Sequence, residues 1–239
     1  MDQFVSIVNN LPDNDLSSRG NAYIFPIVFP EQSTSELKGN INDKIIKIVK
    51  EFYESETDEK KIANDLILYI YATLSSNTYR EYYYEIIYHG LLKGMVRVPL
   101  PVEKELYFKL RDLGKELAKA QLLEININLL ESTIECEGNI NIPVQKIIFS
   151  IDENTILFKG YHKQESFKLK NVPSEVYAYS IMGYDVLETY LKYKTYPYIN
   201  RGLNDVDIKE VIKMIESLVK YMNIIEDIDS VVEGVLATS

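Results

Sequence analysis

The sequence has no tryptophan, one cysteine (Cys136) and two histidines (His89 and His162) in 239 residues. A lone cysteine excludes an intrachain disulfide and fits a reduced, intracellular setting. The two histidines lie far apart and have no metal-ligand spacing around Cys136, so no metal site is expected. No apolar run approaches the ~20 residues of a membrane span, and Met1-Asp2-Gln3-Phe4 opens without the basic and apolar regions of a signal peptide. A cytoplasmic chain with no membrane partner is expected. Also missing are a glycine-rich phosphate loop ending in Lys-Ser/Thr, a Gly-x-Gly-x-x-Gly turn and a nucleophile elbow. No cofactor and no catalytic residue are therefore expected. A Cys136–His162 catalytic pair is one arrangement the sequence leaves open, but a single cysteine more often fills a core.

Positive charge is also scarce. Lys and Arg number 26 against 36 Asp and Glu, for a net charge of −10. Phosphate binding needs cations, so a nucleic-acid contact would require them gathered on one face of an acidic body. The alternative is an acidic protein-interaction module, docking onto basic surfaces of a partner or mimicking DNA. Carboxylate clusters such as Glu54, Glu56, Asp58 and Glu59 read as solvated helix ends.

Tyrosine is abundant, at 19 residues. It suits a core edge and a binding face equally. The chain reads as one α+β domain, mostly helical, with a small antiparallel β-meander and C-terminal helices. Residues 1–21 form a loop-rich lead-in, 22–130 a mainly helical part, 131–182 the meander and 183–239 the closing helices. Ala22–Pro30 reads as an edge strand interrupted by Pro26. Asn42 is placed to cap a helix over Asp43–Tyr53, and Thr57 to cap the next. Ser75-Ser76-Asn77 breaks that second helix, and a third runs from Thr78 to Tyr88. Glu103–Leu123 carries a leucine stripe at helical spacing. Strands are expected over Val144–Ile151, Thr155–Lys159 and Ser166–Lys170. Helices follow over Tyr184–Tyr193 and Val206–Asn223, and a separate short acidic helix over Ile224–Leu236.

Three constellations could carry chemistry. The segment 192–202 holds Lys192, Lys194, Arg201 and Asn200 among three tyrosines, with no acid. Its cations suit phosphates, and Asn200 or Arg201 suits base edges. The meander adds Lys146, Lys159, His162, Lys163, Lys168 and Lys170; a β-ribbon or its loops can enter a major groove. Strand lysines also protect sheet edges, which is the plainer explanation. In the segment 74–83, Tyr79 and Tyr83 share a helix face. Arg80 there is expected to form a structural ion pair. Arg97 is a further candidate for DNA contact.

Several blocks resemble one family. Gly20–Pro30 is similar to the Phe-Pro segment that opens the C-terminal specificity domain of Type ISP restriction-modification enzymes. Leu68–Glu81 resembles its Tyr-rich helix, turn and Tyr-Arg-Glu restart. Val96–Pro101 resembles its Arg-Ile-Pro segment, and Leu113–Ala118 its Gly-(Lys/Arg)-Glu-Leu helix. Val172–Tyr179 and Gly183–Tyr190 follow its Ile-Pro, Tyr-x-Tyr and Asn-Gly-Arg-Ser-Ala-Leu-Glu-Trp pattern. Met182-Gly183-Tyr184 departs from Asn-Gly-Arg, and Asn77-Thr78 replaces Ser-Pro. The resemblance implies sequence-specific reading of double-stranded DNA for an adenine methyltransferase and an ATP-driven nuclease. It implies methyltransferase and helicase/nuclease domains or subunits as partners, and no catalysis by this chain itself.

Overall fold

The computed structural model describes residues 28–30, 37–39, 41–53, 58–92, 98–101, 103–125, 132–162, 165–181 and 183–238. Its elements run β1 (Val28–Pro30), β2 (Leu37–Gly39), α1 (Asp43–Lys50), α2 (Glu59–Ser75), α3 (Asn77–Tyr82), α4 (Tyr84–Leu92), α5 (Lys104–Gln121), β3 (Glu135–Gly138), β4 (Lys146–Ser150), β5 (Thr155–Lys159), β6 (Ser166–Lys170), α6 (Ser174–Tyr177), β7 (Ser180–Ile181), β8 (Tyr184–Asp185), α7 (Val186–Lys192), α8 (Tyr196–Ile199) and α9 (Asp205–Thr238). The fold is α+β, as expected. Its contacts group the chain into two compact units, residues 5–118 with 223–239 and residues 119–222.

The first unit is helical. Asn42 caps α1 by accepting the Lys44 amide at 2.9 Å, the cap read from the sequence. Asp58 caps α2, accepting the Lys60 amide at 3.0 Å; the expected cap, Thr57, lies outside the described residues. Ser76 ends α2 and starts α3, its hydroxyl accepting the Tyr79 amide at 3.0 Å. The helix expected over 78–88 is two helices, α3 and α4, which meet at Tyr83 where the backbone leaves helical geometry (φ −109°, ψ 23°).

Several tyrosines form this unit's core. Tyr69 and Tyr107, both fully buried, stack at 5.0 Å between ring centroids, and Phe52 lies 5.3 Å from Tyr107. The hydroxyl of Tyr69 donates to the Pro99 carbonyl and that of Tyr53 to Asp65, which satisfies groups that would be costly to bury alone. Gly114 lets α5 approach α2 closely: a Cβ there would collide with the Leu68 carbonyl. Asp229 in α9 accepts Ser76 Oγ at 2.6 Å, Asn77 Nδ2 at 3.1 Å and the Thr78 amide at 3.1 Å, closing the start of α3.

The second unit is built on a four-stranded antiparallel sheet in the order β3-β6-β5-β4. Ile156, Phe158, Phe167 and Leu169 are fully buried on one face, packed with Ile142, Val144, Leu187, Leu191 and the α9 residues Ile208, Val211 and Ile215. Strands β4, β5 and β6 fall within or on their expected spans. The strand β3 was not expected. Its four residues are all exposed and alternate no apolar side chains, so an edge strand of this kind carries no local signal. Tyr184–Asp185 pairs with Ser180–Ile181 as a short hairpin after Gly183 (φ 81°), which delays the expected helix to Val186.

The two expected C-terminal helices are one. Buried Ile208, Val211, Ile212, Ile215, Leu218, Tyr221, Ile225, Ile228, Val232 and Val235 repeat at three- and four-residue spacing straight through Asn223. A single Asn costs a helix only about 0.7 kcal/mol, too little to break it against that burial.

Candidate nucleic-acid interface

Side chains alternate across a strand, and the buried Phe158, Phe167 and Leu169 fix which face is open. Lys159, Lys168 and Lys170 therefore project from the other face. The register sets Lys146 directly opposite Lys159, Lys168 opposite Leu157 and Glu137, and Lys170 opposite Glu135. Lys146 and Lys159 are exposed and take part in no ion pair among the described residues. Opposed like charges destabilise a strand pair, so their placement gains nothing for the folded sheet itself. Lys170 is different: it pairs with Glu137, whose carboxyl is held below the ordinary carboxylate range by that hydrogen bond. The turn after β5 closes with the Gly160 amide donating to the Glu165 carbonyl at 2.9 Å. His162 sits exposed in it. Lys163 and Arg97 lie outside the described residues.

The 192–202 segment comes next to the sheet. The Tyr196 amide donates to the Val144 carbonyl at 2.7 Å and the Leu203 amide to the Ile142 carbonyl at 3.1 Å. The Tyr196 ring meets Tyr161, in the turn after β5, edge-to-face at 5.7 Å. Two constellations separated by tens of residues thus adjoin in space.

Within the segment the cations divide. Arg201 grips Asp207 with both terminal nitrogens, Nη2 at 3.0 Å from Oδ1, and donates to the Gly202 carbonyl at 2.9 Å. Lys194 pairs with Glu210, lies 3.7 Å from Asp207 and sits over the Tyr190 ring at 5.4 Å. Asp207 is 4% exposed. It also accepts the Asn204 amide at 3.0 Å while its own amide donates to Asn204 Oδ1 at 3.0 Å, a reciprocal cap on α9. The Arg201 hydrogen bonds hold the Asp207 carboxyl below its usual value. Asp207 organises the loop, yet it was absent from the sequence candidates; its signal was the Asn204-x-x-Asp207 spacing ahead of an apolar run. Lys192, at the end of α7, is exposed with no ion pair among the described residues. Asn200 is exposed and left-handed (φ 50°, ψ 32°), a conformation Asn tolerates well, and it ends α8.

The remaining candidates have structural settings. Tyr79 and Tyr83 meet at 5.0 Å. Arg80 is 4% exposed and donates Nε to the Ser76 carbonyl at 3.2 Å. Cys136 lies on β3 opposite Leu169, and desolvation raises its thiol pKa, the wrong direction for an activated nucleophile. No cluster of three or more potential metal ligands occurs among the described residues. No helix among them is long and apolar enough to cross a membrane.

Three solved structures share the fold. A nuclease-deletion mutant of the Type ISP restriction-modification enzyme LlaGI in complex with a DNA substrate mimic matches 85% of this chain at 20% identity and TM-score 0.53. The ATP-dependent Type ISP restriction-modification enzyme LlaBIII bound to DNA matches 94% at 21% identity and TM-score 0.54. A DrdV–DNA complex matches 82% at 16% identity and TM-score 0.54. The match covers 17%, 14% and 21% of those chains, so this chain corresponds to a small part of each. No curated protein matches the sequence. Residues 2–218 match the profile of the Type ISP C-terminal specificity domain, and the chain belongs to that family.

Proposed function

We propose that this chain reads a DNA duplex as the target-recognition module of a restriction-modification enzyme, while methyltransferase and helicase/nuclease domains or subunits carry the chemistry. The observation behind this reading is the opposed, unpaired pair Lys146 and Lys159 on the open face of the sheet. Two ammonium groups at this spacing repel each other in the free protein and are relieved by a phosphate backbone. Lys192 extends the same role from the end of α7. Lys194 and Arg201 already have carboxylate partners and serve mainly to hold the loop, so that Asn200 faces outward toward base edges. The family and its DNA-bound structural neighbours support the same reading.

The test is an electrophoretic shift against a randomised duplex pool. Changing Lys146, Lys159 and Lys192 together to Ala should abolish the shift at moderate salt. Changing Lys194 alone should leave most of it. Equal affinity in the triple variant and the unchanged chain sinks the assignment.

A further inference from the structure

The loop that adjoins the sheet exposes aromatic rings that the core does not use. Tyr193 is 58% exposed and Tyr198 is 52% exposed, and they pack edge-to-face at 5.1 Å. Tyr161, 52% exposed, abuts the same loop through Tyr196. Rings left this open gain little by burial. Their mutual contact orders the two side chains while more than half of each stays exposed. Tyr193 directly follows the unpaired Lys192, and Tyr161 lies two residues beyond the unpaired Lys159. Cations interleaved with open aromatic faces are the chemistry of a stacking platform for unpaired bases. An intact duplex offers no base face to stack on, only edges and phosphates.

We infer that Tyr193 and Tyr198, with Tyr161 beside them, form a site that stacks on unpaired DNA nucleotides adjoining the recognised duplex. This rests on the duplex-binding reading above and adds a second DNA form to the same surface. An edge-to-face pair leaves ring faces free to receive a base, and the neighbouring lysines hold the backbone of that strand. The tyrosine hydroxyls are not required for stacking; the rings are.

The test uses the full chain with a fluorescent thymidine single strand of roughly a dozen nucleotides and a blunt duplex of equal length. Tyr193→Ala and Tyr198→Ala should each weaken single-strand binding by about fivefold or more. Duplex affinity should stay within about twofold, since no base face is presented there. Tyr193→Phe and Tyr198→Phe should bind the single strand like the unchanged chain. Circular-dichroism melts confirm that all four variants fold, which their surface positions make straightforward. Losses of equal size on both DNA forms, equal losses in the Phe variants, or no loss in the Ala variants would each overturn the stacking site. Duplex binding that still depends on Lys146, Lys159 and Lys192 would then show that the reading beneath it survives. Absence of duplex binding by the unchanged chain removes both.

Discussion

Salt dependence separates the paired cations from the unpaired ones. Each phosphate neutralised on B-DNA contributes about −0.9 to the slope of log K against log salt. Among the described residues Lys168 has no ion pair but lies opposite Glu137 across the strands; Lys146 and Lys159 on the sheet and Lys192 at the end of α7 have neither an ion pair nor a cross-strand carboxylate. The joint contribution of these last three is therefore about −2.7. Removing Lys146 and Lys159 alone should flatten the slope by about 1.8; over a fourfold rise in salt, that is about a twelvefold difference in how steeply affinity falls. Lys194 and Arg201 exchange a carboxylate for a phosphate when they engage DNA, so Lys194→Ala should change the slope by well under one unit. The assay is fluorescence anisotropy on one duplex between about 50 and 200 mM salt. In the free protein the double variant should melt no lower than the unchanged chain, because a repulsive cross-strand pair has been removed. A slope unchanged by the Lys146/Lys159 double variant, or flattened equally by Lys194→Ala, refutes the division.

Other consequences concern stability. Gly114→Ala should destabilise the chain by about 1–3 kcal/mol in urea titration, because a methyl group there meets the Leu68 carbonyl and comes within 3.2 Å of Ala72 Cβ. A midpoint within error of the unchanged chain would show that α2 and α5 separate easily. Asp229→Ala strips three hydrogen-bond donors at the start of α3 of their acceptor and should cost about 1–3 kcal/mol by the same titration; Asp229→Asn should lose less. The Asp207 carboxyl is held below its ordinary 3.8, so its stabilising contribution is complete above that value and is lost as the pH falls through the lower folded value. Thermal melts of Asp207→Asn should therefore show a smaller loss than the unchanged chain as the pH is taken below about 3.8. Burial pushes the Tyr53 hydroxyl up from 10.0 to about 12, so its contribution is full below pH 10 and disappears by about pH 12. Tyr53→Phe should remove that part of the alkaline transition, read as tyrosinate absorbance.

The sequence determined the local elements. Asn42 and Ser76 announce helix boundaries by their own side chains, and short β-branched and aromatic runs between turn residues delimit Thr155–Lys159 and Ser166–Lys170. The family blocks were equally readable, because their residues are neighbours in the chain. The tertiary structure decided what depends on residues meeting across sequence. β3 is exposed and charged, so only its pairing with β6 makes it a strand. The continuity of α9 follows from burial along its whole length, which overrides the weak local break at Asn223. Which lysines remain unpaired was settled by register and by Asp207 and Glu210. A charge pattern in one dimension records how many cations are present, while their partners are fixed only when strands and loops are brought within a few ångströms.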